Sequence, residues 1–170
     1  MAYGVVEMNR ISAQKTKQIF AQLPASSGLA TAVSNELQNG MILVYDVGAG
    51  TVRLPTDSDS AKDLVLHKSA EKLYDANANE LGDFVLDLTE DVLPRCYALT
   101  VNDTYTATME VFVEDFSTLS EGDILYADVD GGTGKVTSTS TTDNIAFGVV
   151  AKKTTAPNGS DSAIKVAVTL

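Results

Sequence analysis

One cysteine, one histidine and no tryptophan in 170 residues remove several functions before any pattern is sought. Cys96 has no partner for an internal disulfide, so the chain reads as made in a reducing cytosol. A lone thiol of this kind is expected as a small buried hydrophobe in a strand. Cys96 and His67 together cannot supply the four ligands of a zinc site. His67 also lacks a sequence partner for a catalytic triad, and in an alternating run it is expected at the surface or half buried. Aromatics make up only 6% of the chain, too few for a sugar-stacking platform or for base stacking along a single strand. No apolar run approaches the ~20 residues that a helical bilayer crossing takes, so no membrane partner is expected. The opening MAYGVVEMNR has no basic stretch ahead of an apolar one, and no secretory leader is expected. The sequons at Asn102 and Asn158 then carry little meaning.

Basic residues are scarce as well: 12 against 23 acidic ones, a net charge of −11. The imbalance is uneven. Residues 1–40 hold three basic and two acidic residues, and residues 41–170 hold nine and 21. An acidic body repels phosphate, so no nucleic-acid partner is expected, while the near-neutral front end is suited to docking on another protein.

Motifs that could carry chemistry fail on inspection. Gly131–Thr137 (GGTGKVT) has the flavour of a phosphate-binding loop. That motif needs glycine at Val129 and a hydroxyl residue at Val136, and here the segment leads into a strand. Asp128-Val129-Asp130-Gly131 begins like a calcium loop, but Gly132 stands where a third oxygen ligand is required and no glutamate closes a twelve-residue loop. Asp83, Asp87, Glu90 and Asp91 cluster in sequence, yet paired carboxylates need a cleft to perturb them. No catalytic, cofactor or metal residue is assigned, and an enzyme is the least supported class.

What the chain does have is short alternating strands. Gly122–Asp128 (GDILYAD) sets Ile124 and Tyr126 opposite Leu125 and Ala127. Asp130-Gly131-Gly132 turns the chain into Gly134–Thr139, Ile145–Ala151 alternates Ile145, Phe147 and Val149, and Ala163–Leu170 aligns Ile164, Val166, Val168 and Leu170. Upstream, Met41–Tyr45 (MILVY) is an unbroken apolar run. It fits a strand buried on both faces or a contact between copies, and Met41, Ile42, Leu43, Val44 and Tyr45 are candidate subunit-contact residues. A hairpin follows through Thr51–Leu54, and then strands at Asp63–Lys68, Asp83–Leu88, Arg95–Val101 and Tyr105–Glu114, the last expected to be the longest. Ser27–Leu37 has helical spacing at Leu29, Val33 and Leu37, and Ser69–Gly82 is either a helix or a long loop. The expectation is an all-β chain: an antiparallel barrel or sandwich over 39–170, with an extended N-terminal arm over 1–38 and at most one or two short helices.

The order GD-x-LY-AD, GK-V-T, IAFGVVA and IKVAVTL resembles the C-terminal half of the decoration (cement) proteins of tailed-phage capsids, over roughly the last 50 to 60 residues. The resemblance implies a small β-barrel that binds the outer surface of a phage capsid and stabilises it. It also implies the major capsid protein as partner, copies of itself in trimers, a place on the virion and synthesis in the host cytoplasm, with no cofactor. In that setting the arm residues Tyr3, Val5, Val6, Met8 and Ile11 would add a strand or apolar ridge to the shell. Another β-rich phage part, such as a tail-tube or head-fibre subunit, and a carbohydrate- or host-surface-binding module are the alternatives.

Overall fold

Met41–Tyr45 shows how the layers are ordered. Ile42 and Val44 are buried in one apolar cluster while Met41 and Leu43 are buried in a second. Successive side chains of a strand point to opposite faces, so this strand has a core on each side. Leu64 and Leu66 against Val65 divide the same way. The unbroken apolar run is thus explained within one chain.

The structure, a computed structural model, describes residues 6–10, 19–20, 23–69, 85–89, 93–156 and 161–170. In chain order the elements are β1 (Val6–Arg10), β2 (Ile19–Phe20), α1 (Ser27–Ala32), β3 (Glu36–Gln38), β4 (Ile42–Asp46), β5 (Thr51–Arg53), β6 (Leu64–His67), β7 (Val85–Asp87), β8 (Cys96–Ala98), β9 (Thr104–Thr108), β10 (Ile124–Ala127), β11 (Val136–Thr137), β12 (Ile145–Thr155) and β13 (Ser162–Val168). They form a six-stranded sheet, β1-β9-β13-β12-β10-β11, a five-stranded sheet, β2-β8-β6-β4-β5, and the pair β3-β7. Every pairing between these strands is antiparallel. The fold is all-β, with the larger sheet curled as a half-barrel. The first core lies between the two large sheets, around Tyr105, Phe147, Leu125 and Ile164. The second lies on the far face of the five-stranded sheet, where Leu29 of α1 and Leu37 of β3 cover Leu43, Val65 and Cys96.

The segment expected as an arm is, in its described part, built into this body. β1 pairs with β9, Val6↔Ala107, and Val6 is buried. α1 and β3 close the second core. The helix is shorter than its apolar spacing predicts. Ser26 caps its start, its Oγ accepting from the Leu29 amide at 3.1 Å. Ser34 and Asn35 then take φ of 53° and 65°, a left-handed pair that stops the helix and sends Leu37 into β3. Gly40 follows at φ 96°, where a Cβ would stand 2.8 Å from both Val6 and Val111, so only glycine lets this crossing close.

Two strand expectations change. β9 stops at Thr108, and Met109–Val111 forms a 3₁₀ turn instead of continuing to Glu114. The ladder of β9 ends at Thr108, opposite Ala163 of β13, where the 3₁₀ turn carries the chain out of the sheet. Val111 is buried as a result and Val113 is 55% exposed. Among the described residues the longest strand is β12, with 11 residues. In β12 the register against β10 shifts between Leu125 and Tyr126, which leaves Phe147 as the extra residue of a bulge. Phe147 and Val150 are buried and Val149 turns toward the open face, out of the expected alternation. A Cβ on Gly148 would lie 2.8 Å from the Ala167 carbonyl oxygen, which fits the crowding at that bulge.

The long connection before β10 is held by Lys153 of β12. Its ammonium donates to the carbonyl oxygens of Phe116 (2.5 Å) and Leu119 (2.7 Å) and sits 4.3 Å over the Phe116 ring. Lys153→Met keeps the stem and leaves both carbonyls without that donor. We expect a loss of about 2 kcal/mol in urea unfolding, with faster amide exchange confined to residues 115–123. An unchanged midpoint would rule out the clamp.

Candidate functional site

The residues singled out by sequence fall in three places. Tyr3, Val5 and Ile11 lie outside the described residues. Met8 is in β1, the edge strand of the larger sheet, and Val6 beside it is buried against the first core. Met41, Ile42, Leu43 and Val44 are all buried inside the chain, and Tyr45 is partly buried against the second core. That corrects their reading as a contact between copies: their apolar surface is already covered by the chain's own layers.

His67 is a second correction. It is fully buried, because β6 is covered on both faces and His67 sits at its end under the 38–41 crossing. Its Nδ1 lies 2.7 Å from the Gln38 carbonyl oxygen, which can only accept, so Nδ1 carries the proton. Nε2 then accepts from the Ser69 hydroxyl at 3.0 Å, while the same Oγ accepts from the Arg95 amide at 3.2 Å. Burial pushes the His67 pKa down to about 4, against a smaller upward pull from Gln38. This is a neutral, structural histidine that ties β6 to both neighbouring segments. Cys96 is buried as expected, and burial pushes its thiol up to about 12, so it is no nucleophile at neutral pH.

The turn expectations hold where the chain is described. Asp128 accepts from the Gly131 amide at 3.0 Å and from Thr133 Oγ1 at 2.7 Å, which closes Asp128–Gly134 as a hairpin loop. Among the described residues no group of three or more His, Cys, Asp or Glu side chains is placed to hold a metal ion. Of the acidic cluster only Asp87 is described, and its carboxylate accepts from Thr89. No described helix is long and apolar enough to cross a membrane.

Two surfaces are left as candidates. One is the open face of the larger sheet, where the register aligns Ile124, Val149 and Ala167 across β10, β12 and β13. Ile124 is 50% exposed, and the row is flanked by Lys152 directly across from Lys165. Like charges facing one another across strands repel, and an acidic surface laid over them would relieve that. The sequence did not reveal this row, because the bulge that turns Val149 outward depends on pairing with β10.

The other is a cleft of about 300 Å³ between the end of α1, β3, the 109–111 turn and the loop before β11. Val33, Met41 and Val111 give it apolar walls, and Glu36, Glu110 and Lys135 bring charge to it. Glu110 Oε2 is buried without a hydrogen-bond partner, which is costly for a carboxylate oxygen. Sequence reading missed this site because its walls come from two distant segments, 32–41 and 110–135. Glu110 lies within the 3₁₀ turn that replaces the expected continuation of the strand to Glu114.

No family model, curated protein or solved structure matches the chain. The class of the protein therefore rests on its own architecture, an all-β body with two antiparallel sheets packed face to face.

Proposed function

We propose that the chain is a non-enzymatic virion structural protein, a decoration or cement protein that binds the outer surface of a tailed-phage capsid and stabilises it. One observation carries this reading. The residues that bear the resemblance fold into β10, β11, β12 and β13, which lie side by side in the larger sheet as β13-β12-β10-β11. Four neighbouring antiparallel strands are in keeping with the small β-barrel that the resemblance implies. The partner is the major capsid protein, and further copies of the chain complete the lattice. Many copies with modest contacts stabilise a shell through multivalency. The open face bearing Ile124, Val149, Lys152 and Lys165 supports the reading as a surface suited to an acidic partner.

The test is sedimentation of the purified chain with expanded capsids of the phage whose genome encodes it. We expect the chain to pellet with the shells in a saturable way, and to raise the temperature at which they lose DNA. A chain that stays in the supernatant and leaves that temperature unchanged overturns the proposal. Self-assembly into long tubes would point to a tail subunit instead.

A further inference from the structure

We infer that Asn39-Gly40 is a modification site held shut by the fold: opening of the 38–41 crossing lets Asn39 convert to isoaspartate, which then keeps the crossing from closing again. The chemistry belongs to the dipeptide. Glycine has no Cβ to hinder its amide nitrogen from attacking the side-chain amide before it. The Gly40 nitrogen bonds to Asn39 Cγ and passes its proton to the side-chain nitrogen, which leaves as ammonia. Water then opens the five-membered succinimide at either carbonyl. One opening gives aspartate. The other gives isoaspartate, whose backbone runs through Cβ and Cγ and is longer by one carbon.

Three contacts oppose the rotation that ring closure takes. The Gly40 amide, the attacking group, donates to the His67 carbonyl oxygen at 2.8 Å. Asn39 Oδ1 accepts from the Ser69 amide at 2.8 Å, which ties the group under attack to a segment 30 residues away. Gly40 is also packed so closely that a Cβ would stand 2.8 Å from both Val6 and Val111, and its backbone has no room to swing. An intramolecular reaction is fast only when its atoms reach near-attack geometry, so the closed crossing is slow to react.

The same crossing cannot take the longer product. It meets His67 at three points: the Gln38 carbonyl oxygen lies 2.7 Å from Nδ1, the Gly40 amide bonds to the His67 carbonyl, and the Met41 carbonyl accepts from the His67 amide at 2.9 Å. An extra carbon between Gln38 and Gly40 puts these points out of step. Aspartate keeps the backbone and an oxygen for the Ser69 amide. Opening is thus made irreversible through isoaspartate, as chemical change of an opened state does in general. The inference does not rest on the capsid reading.

The full-length chain is aged at pH 7.5 in buffer and in denaturing urea. Peptide mass mapping follows the amide-to-acid change at Asn39, and enzymatic methylation reports isoaspartate. We expect conversion at least about a hundredfold slower in the folded chain, because only the opened fraction reacts. His67→Gln, which alters the tie to Gln38, should speed conversion in buffer about tenfold and leave the rate in urea unchanged. Lys153→Met loosens a different segment and should change the folded rate by no more than about twofold. After dilution from urea, isoaspartate at position 39 should be confined to chains that fail to refold, whereas Asn39→Asp should fold. Equal rates in buffer and urea overturn the inference, as does equal acceleration by Lys153→Met, which would tie the reaction to global unfolding. Isoaspartate at position 39 in refolded chains of wild-type stability overturns it as well.

Discussion

Acidifying the chain from pH 6.5 to 4 is expected to remove about 3 kcal/mol of stability through His67 alone. The sign follows from where the proton binds. In the unfolded chain His67 takes up a proton near 6.5, and in the fold only near 4, so the unfolded state binds more protons between those values. The contribution is complete above pH 6.5, falls as the pH drops, and is lost below about 4. The physical cause is the closed surroundings of the ring. A proton added at Nε2 meets the Ser69 oxygen, whose own hydrogen now points at that nitrogen, and the charge is shut off from bulk solvent.

Urea unfolding measured at half-unit steps from pH 7.5 to 4 reads this directly. His67→Gln should be less stable than wild type at pH 7.5, having lost at least one of the two ring hydrogen bonds. Its stability should then stay nearly level down to pH 4.5, where the wild type has dropped. Parallel curves for the two proteins would rule His67 out as the source. The carboxylates act in a lower window. Arg53, bidentate to Asp59 at 2.7 Å on each arm, holds that carboxyl at about 2. Its contribution is therefore lost only below about pH 4, and it is modest because the pair is partly exposed.

The difference between what sequence revealed and what it concealed is one of range. Strand identity was legible wherever a local signal sufficed: GDILYAD, IKVAVTL and the Asp46–Gly50 turn all lie where alternation and turn residues place them. Burial of Cys96 was legible from the habits of a lone thiol. The places that differ are set by neighbours distant in sequence. β9 ends where the 3₁₀ turn carries Val111 into the core between the sheets, and Val149 turns outward because β10 imposes a bulge. His67 is buried because α1 and the β3–β7 pair add a third layer, which alternation within β6 could not report. The cleft is the extreme case, since its charged residues share no local pattern at all.

The third layer also decides the meaning of Met41–Tyr45, and here the expected effect is largest. Ile42→Ala and Leu43→Ala each remove a fully buried side chain, one from each core, and each should cost about 2–5 kcal/mol. Tyr45→Ala, at a partly buried position, should cost less. A contact between copies makes a different prediction. The chain alone would tolerate these changes, and only the assembly would weaken, so the shift in midpoint would vary with protein concentration. We expect both alanine variants to lower the denaturation midpoint by the same amount over about a hundredfold range of concentration, because the layers they hold together belong to one chain. A shift that disappears on dilution would return the run to the surface. Because the two variants sit on opposite faces of β4, equal losses would also establish that the chain depends on both cores. Covering by α1 and β3 would then be a condition of folding, and residues 27–38 could not be a detachable appendage. Any association between copies would have to use surface the fold leaves open, such as the row through Ile124, Val149 and Ala167.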